Sequence, residues 1–239
     1  MSQSQPKERI PLFKVFMAPN VEDTLVPVLH SGYIGQGKQV EEFESKLKEW
    51  FDYPWILTLN SATSGLTLAL RLLNLNRGDE VLCSPLTCFA TTTAILANGL
   101  SIRWVDIDKT TCNICPRDVA RKRTSKTKAI VVVHWGGNPV DLDAIRNTCP
   151  DLPIVEDAAH AFGAIYEGDY VGTHDNITVF SLQAIKHLTT GDGGLIFLPN
   201  EELYNSKINH ISTNFVNAKK YINTEDWIME NFVETILLS

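Results

Sequence analysis

Ile56-Leu57-Thr58-Leu59-Asn60-Ser61-Ala62-Thr63-Ser64-Gly65-Leu66 opens on a short apolar run, passes through small polar residues and enters a second apolar stretch. Residues 56–59 read as a buried strand, 60–65 as a turn and 66–73 as a helix. The same order recurs downstream. Apolar runs at 80–84, 102–106, 129–133, 154–157, 177–180 and 194–198 read as strands. Helical stretches fall at 91–97, from 119 onward, and at 142–148. Upstream, Val40, Phe43, Leu47 and Trp50 recur at helical spacing, with acids early and lysines late, and predict a helix over 40–51. Continuous apolar strands separated by helices indicate an α/β fold. The expected architecture is a three-layer sandwich around a mainly parallel, mixed sheet. No internal repeat, low-complexity tract or interdomain linker interrupts the chain.

Composition narrows the function. The 239 residues are 44% hydrophobic and 21% charged, enough for a sizeable core. A net charge of -7 argues against a nucleic-acid partner, and the cluster Arg121-Lys122-Arg123 with Lys126 and Lys128 is too local to reverse that. The polar start, Met1 to Arg9, has no apolar leader core, and no stretch has the ~20 apolar residues of a membrane span. A cytoplasmic protein with no membrane partner is expected. Five scattered cysteines suit reduced thiols. Cys112-Asn113-Ile114-Cys115 has the spacing of half a zinc site, but no second Cys or His pair follows at the required distance, so no metal is expected.

Functional groups in such a sheet gather at the carboxyl ends of the strands. Ser61-Ala62-Thr63, before a helix, offers backbone N–H groups, hydroxyls and a helix N-terminus to an anion such as phosphate. The same residues also serve as ordinary N-caps. Asp157 ends Ile154-Val155-Glu156-Asp157 and is followed by Ala158-Ala159-His160-Ala161-Phe162-Gly163, small residues that leave room for a planar ring; a cap or turn role is the alternative. Lys186 follows the apolar Phe180-Ser181-Leu182 and precedes Gly191-Asp192-Gly193-Gly194. Burial there would favour the neutral amine that attacks an aldehyde, whereas a lone lysine is otherwise a surface residue. A lysine that forms a Schiff base and an acid that keeps a pyridine nitrogen protonated are what pyridoxal phosphate (PLP) chemistry requires.

Several ordered motifs together resemble the PLP-dependent nucleotide-sugar aminotransferases of the DegT/DnrJ/StrS family. They are Ser31-Gly32-Tyr33-Ile34-Gly35-Gln36-Gly37, Asn60 to Leu66, Thr87 to Ile95, Glu156 to Gly163, and Phe180-Ser181 through Gly194. The resemblance runs from about Ile10 to Phe197. It implies the large domain of a fold type I PLP-dependent transferase over residues 31–239, after an N-terminal arm at 1–30. It also implies a homodimer with the active site between subunits.

Carried over by position, Lys186 resembles the Schiff-base lysine and proton shuttle, and Asp157 the partner of the pyridine nitrogen. Ala62, Thr63 and Ser181 resemble phosphate ligands. His160 stands where the family usually has a glutamine near the ring oxygen, which implies a similar hydrogen-bonding role. Cys88 stands where many members stack an aromatic residue on the ring, so the resemblance implies a thiol on that face, with Phe89 one position away. His134-Trp135-Gly136-Gly137 follows a strong strand and is expected near the site or in packing.

The implied reaction is a ping-pong amino transfer from an amino-acid donor, commonly glutamate in this family, to a keto group on a nucleotide-linked sugar. A related branch performs dehydration with histidine in place of the lysine, and Lys186 argues against that branch. The family's smaller C-terminal domain is expected to be absent, and its segment contacting the neighbouring subunit's phosphate is not recognisable between Tyr221 and Ser239. The alternative function is a truncated, catalytically weak or inactive PLP-binding homologue that pairs with a full-length partner.

Overall fold

The computed structural model describes residues 15–205. The start of the expected N-terminal arm, residues 1–14, and the segment Tyr221–Ser239 lie outside the described residues. The chain divides into two units, Met1–Pro199 and Asn200–Ser239. Of the second, a short helical turn follows Asn200, whose Oδ1 accepts the Leu203 N–H at 3.0 Å.

Seven strands form the sheet of the first unit: β1 (Ile56–Leu59), β2 (Glu80–Cys83), β3 (Ser101–Trp104), β4 (Thr127–Val133), β5 (Ile154–Asp157), β8 (Ile177–Ser181) and β9 (Gly194–Phe197). A small hairpin, β6 (Ile165–Tyr166) and β7 (Asp169–Tyr170), stands apart from it. The sheet order is β1-β9-β8-β5-β4-β2-β3. All neighbours pair in parallel except those of β9, which runs against both β1 and β8. The sheet is therefore mixed and mainly parallel, as the apolar runs imply. Strand β4 is buried at six of its seven positions and β5 at all four, which is how a strand covered on both faces reads.

Two helical layers cover it. On one face, α3 (Ala62–Leu72) and α4 (Phe89–Ala97) pack together, with Gly65 of α3 seated so close to Val179 that a Cβ would fall 2.8 Å from its Cγ1. On the other face lie α5 (Pro116–Lys122) and α6 (Leu142–Thr148), whose Val119, Leu142 and Ile145 join Leu82, Ile130, Val132 and Ile154 in one core. That layer continues with α2 (Lys38–Phe51), which buries Leu47 and Phe51 against Phe180, Leu195 and Phe197. Here Phe51 and Phe197 meet edge to face at 4.9 Å, a favoured aromatic geometry.

Two elements depart from the sequence reading. Helix α3 begins at Ala62, so most of the stretch read as a turn is its first turn. The Ser61 Oγ caps it, accepting the Ser64 N–H at 3.2 Å. Helix α1 (Val21–His30) lies within the segment expected as an arm. None of its residues is buried, so the periodic burial that identifies a helix is missing there.

Candidate active site

Every parallel strand points its carboxyl end at the same edge of the sheet, and β9, running the other way, starts there. Register does the assembly. Leu59 and Ser181 both pair with Gly194, so the chain leaving β1 and the end of β8 are held on either side of one residue. Val133 and Asp157 pair across β4 and β5, and Asp157 pairs in turn with Val179. The result is a cavity of about 460 Å³ at that edge. Its walls include all seven candidate residues: Ala62, Thr63, Cys88, Asp157, His160, Ser181 and Lys186.

Ala62 and Thr63 form the first turn of α3, where backbone N–H groups have no carbonyl one turn behind them. The Ser181 Oγ accepts the Gln183 N–H at 3.3 Å. Behind this turn, Gly193 and Gly194 are buried and bring the start of β9 up against it. A Cβ on Gly193 would fall 2.6 Å from the Thr190 Oγ1, and one on Gly194 2.7 Å from the Ala62 nitrogen. Gly193 also holds φ at +151°, a backbone that favours glycine. The helix start and the nearby hydroxyls of Ser61, Thr63 and Ser181, all on the cavity wall, make an anion cup.

Asp157 is 4% exposed. Its Oδ2 accepts the Thr91 hydroxyl at 2.6 Å and its Oδ1 accepts the Ala159 N–H at 3.1 Å. Cys83 shares this interior: burial, followed by the Asp157 charge, pushes its thiol up to about 12.

Lys186 differs from expectation in its burial. It is half-buried on the cavity wall, where the sequence reading buries it. The run before it is a bend, not a continuation of β8. Leu182 turns inward, but Gln183 and Ile185 are exposed, which carries Lys186 to the mouth. His160 is half-buried across the cavity, its ring 6.0 Å from that of Trp135. Burial, followed by the positive charge of Lys186, holds its imidazole below the ordinary value, although Asp157 pulls the other way. Cys88 is the exposed residue before α4; Phe89, beside it, is 78% exposed and is not part of the wall.

Trp135 does line the cavity, held by a network that the sequence does not announce. The Trp135 N–H donates to Asn113 Oδ1 at 3.1 Å, while Asn113 Nδ2 donates to the carbonyls of Asn138 and Pro139 at 3.0 Å each. The segment Cys112-Asn113-Ile114-Cys115 thus pins the Trp135 loop, and among the described residues no cluster suited to a metal ion is found. Beneath the loop, the Val140 N–H donates to His134 Nδ1 at 3.0 Å, which leaves Nε2 as the donor to Glu156 Oε2 at 2.8 Å. Asn176 Nδ2 reaches Glu156 Oε1 at 2.7 Å. Burial would raise the Glu156 carboxyl, but the hydrogen bonds from His134 and Asn176 outweigh it and hold the group below its ordinary value. The sequence reading expects Trp135 near the site or in packing, but it does not single out Thr91, Gln183 or Asp192. Thr91 sits in Thr91-Thr92-Thr93, a run that gives no sign of which hydroxyl turns inward; its spacing of four from Thr87 is the one available signal.

The donor set fits PLP: an anion cup for a phosphate, an oriented carboxylate for a ring nitrogen and an amine for an aldehyde, around one cavity. The DegT/DnrJ/EryC1/StrS aminotransferase family model matches residues 17–225. GDP-perosamine synthase of Escherichia coli O157:H7 is 35% identical over 198 residues, 82% of this chain and 54% of that protein. The structure of the sugar aminotransferase CalS13 from Micromonospora echinospora superposes with a TM-score of 0.79 at 44% identity, covering 82% of this chain and 56% of that one. Spr1654 from Streptococcus pneumoniae in its PLP form gives 0.77 at 29% identity, covering 82% and 54%. The chain spans about half the length of the curated relatives it matches.

Proposed function

The chain belongs to the DegT/DnrJ/EryC1/StrS aminotransferase family, and from that premise we propose that its cavity holds PLP and serves amino transfer from an amino acid, glutamate, to a keto group of a nucleotide-linked sugar. The observation that carries this reading is that Lys186 and Asp157 face one cavity whose floor is the anion cup of α3. Family aminotransferases are PLP enzymes. Among the relatives is a GDP-perosamine synthase, which supports a nucleotide-linked sugar as the acceptor.

When bound, PLP supplies an electron sink that stabilises negative charge at the carbon being deprotonated. This chain's residues do the rest. The amides of Ala62 and Thr63 and the Ser181 hydroxyl hold the phosphate. Asp157, fixed from both of its oxygens, presents a carboxylate to the ring nitrogen. Lys186 Nζ takes and returns the proton at the reacting carbon. His160, neutral near pH 7, donates or accepts a hydrogen bond without bringing a second positive charge beside Lys186. Cys88 covers one side of the cavity and Trp135 closes another. The assembly proposed is a homodimer in the cytoplasm, without nucleic-acid or membrane partners. Among the described residues no helix is long and apolar enough to cross a membrane.

The test is an absorbance spectrum of the purified chain with PLP, before and after L-glutamate, beside Lys186→Ala. The expected result is a cofactor band that the substitution abolishes and that glutamate converts to the pyridoxamine form. Absence of the band in wild type would overturn the reading.

A further inference from the structure

The three threonines Thr91, Thr92 and Thr93 sit side by side in α4, yet their hydroxyls are used differently. Thr92 and Thr93 both donate to the Phe89 carbonyl, at 3.0 and 2.8 Å, the usual outlet for a helical threonine. Thr91 does not. Its Oγ1, on a residue 1% exposed, crosses from the helix to the sheet and meets Asp157 Oδ2 at 2.6 Å. On its other side lies the Thr87 Oγ1 at 2.7 Å.

Proton counting fixes the direction of both contacts. An ionised carboxylate only accepts, so Thr91 must donate to Asp157. Its single proton is then committed. Thr87 must therefore donate to Thr91, and the order runs Thr87 to Thr91 to Asp157. Among the described residues Thr91 is the one side chain that donates to this carboxylate, and the Ala159 N–H, on the other oxygen, is the second donor. Two donors on different oxygens stop rotation of the carboxylate about its own axis; either alone would leave it free to turn.

Building on the PLP reading above, we propose that Thr91, polarised by Thr87, is a positioning residue that aims Asp157 at the ring nitrogen of the cofactor. Neither threonine needs to touch the cofactor for this. Their part is to fix the carboxylate before the cofactor arrives, so that binding does not bear the cost of ordering it.

The experiment measures PLP affinity of the full chain by titration, with thermal unfolding of the unliganded proteins alongside. Thr91→Val is expected to weaken PLP binding by about tenfold or more, the effect of losing one hydrogen bond to a charged group. Thr91→Ala, which relieves any crowding by the added methyl, carries the same expectation if the valine variant fails to fold. Thr91→Ser restores affinity to within about threefold of wild type, because the hydroxyl returns. Thr87→Val costs less than Thr91→Val, and the double variant costs no more than Thr91→Val alone, since Thr87 acts only through Thr91. A role confined to packing would give no serine rescue and would multiply the two losses. The proposal falls if Thr91→Val or Thr91→Ala binds PLP as wild type does, or if the double loss is multiplicative. Wild type that binds no PLP would instead sink the functional reading on which the proposal rests.

Discussion

Gly194 presses against the start of α3 so closely that a Cβ on it would lie 2.7 Å from the Ala62 nitrogen and 2.7 Å from the Ser61 carbonyl carbon. Both contacts are to backbone, which cannot swing aside as a flexible side chain would. Gly194→Ala must therefore push the anion cup away from β9. The expected cost is about 1–3 kcal/mol of stability, together with weaker binding of PLP. Urea unfolding and PLP titration check the two effects, and an alanine variant with wild-type values for both would show that the cup yields.

Glu156 points into the opposite layer from Asp157, its neighbour in β5, and is fully buried with His134 and Asn176. Its folded-state value lies below the ordinary 4.5. The ionised group thus contributes stability above that pH, and the contribution is lost as pH falls through the folded value. Glu156→Gln offers one acceptor and one donor where two donors converge, so it should cost about 1–3 kcal/mol near pH 7. Urea unfolding from pH 7 down to about pH 4 should show the gap between the two proteins narrowing at the acid end. A gap that does not change with pH would mean the carboxyl is not ionised.

Cys83 ends β2 and Cys88 precedes α4, at the two ends of one connection, and they differ sharply in access. Cys88 is exposed on the cavity wall, while Cys83 is buried with its thiol pushed up to about 12. A thiol reagent at neutral pH should modify Cys88 in the native chain, and Cys83 only after unfolding. PLP at ten times its Kd should slow the Cys88 reaction by roughly tenfold, because only the unliganded fraction reacts. Mass spectrometry of quenched samples reads both; equal rates at the two thiols, or no protection by PLP, would contradict this geometry.

The sequence makes the central strands legible because β4, β5 and β8 are buried on both faces and leave apolar runs, as Ala129 to Val133 does. Strand direction is a different matter. Nothing within Gly194 to Phe197 says that β9 runs against its neighbours; that follows from the short return from Ser181. The hairpin of β6 and β7 is two residues a side, too short for a pattern, although its turn residues Glu167 and Gly168 both take positive φ. Ala62, Thr63, Cys88, Asp157 and Ser181 lie at a strand end or a helix start, while His160 and Lys186 are legible through the family-like motifs in which they stand. Thr91 and Asn113 are not legible, since each acts across the fold on a partner far away in the chain, and such pairings leave no local trace.

The edge strand β1 has β9 as its sheet partner, and Ile56 pairs with Phe197. The chain therefore makes the strand that leads into the anion cup early in synthesis and cannot seat it in the sheet until β9 has emerged. Strands β2 to β5 can pair with one another well before then, because they need nothing from β9. Pairing across so long a stretch of chain is intrinsically slow. The cup should be the last part of this sheet edge to be completed during translation, and a growing chain that halts before Phe197 would carry Asp157 in place with the phosphate end of its site still open.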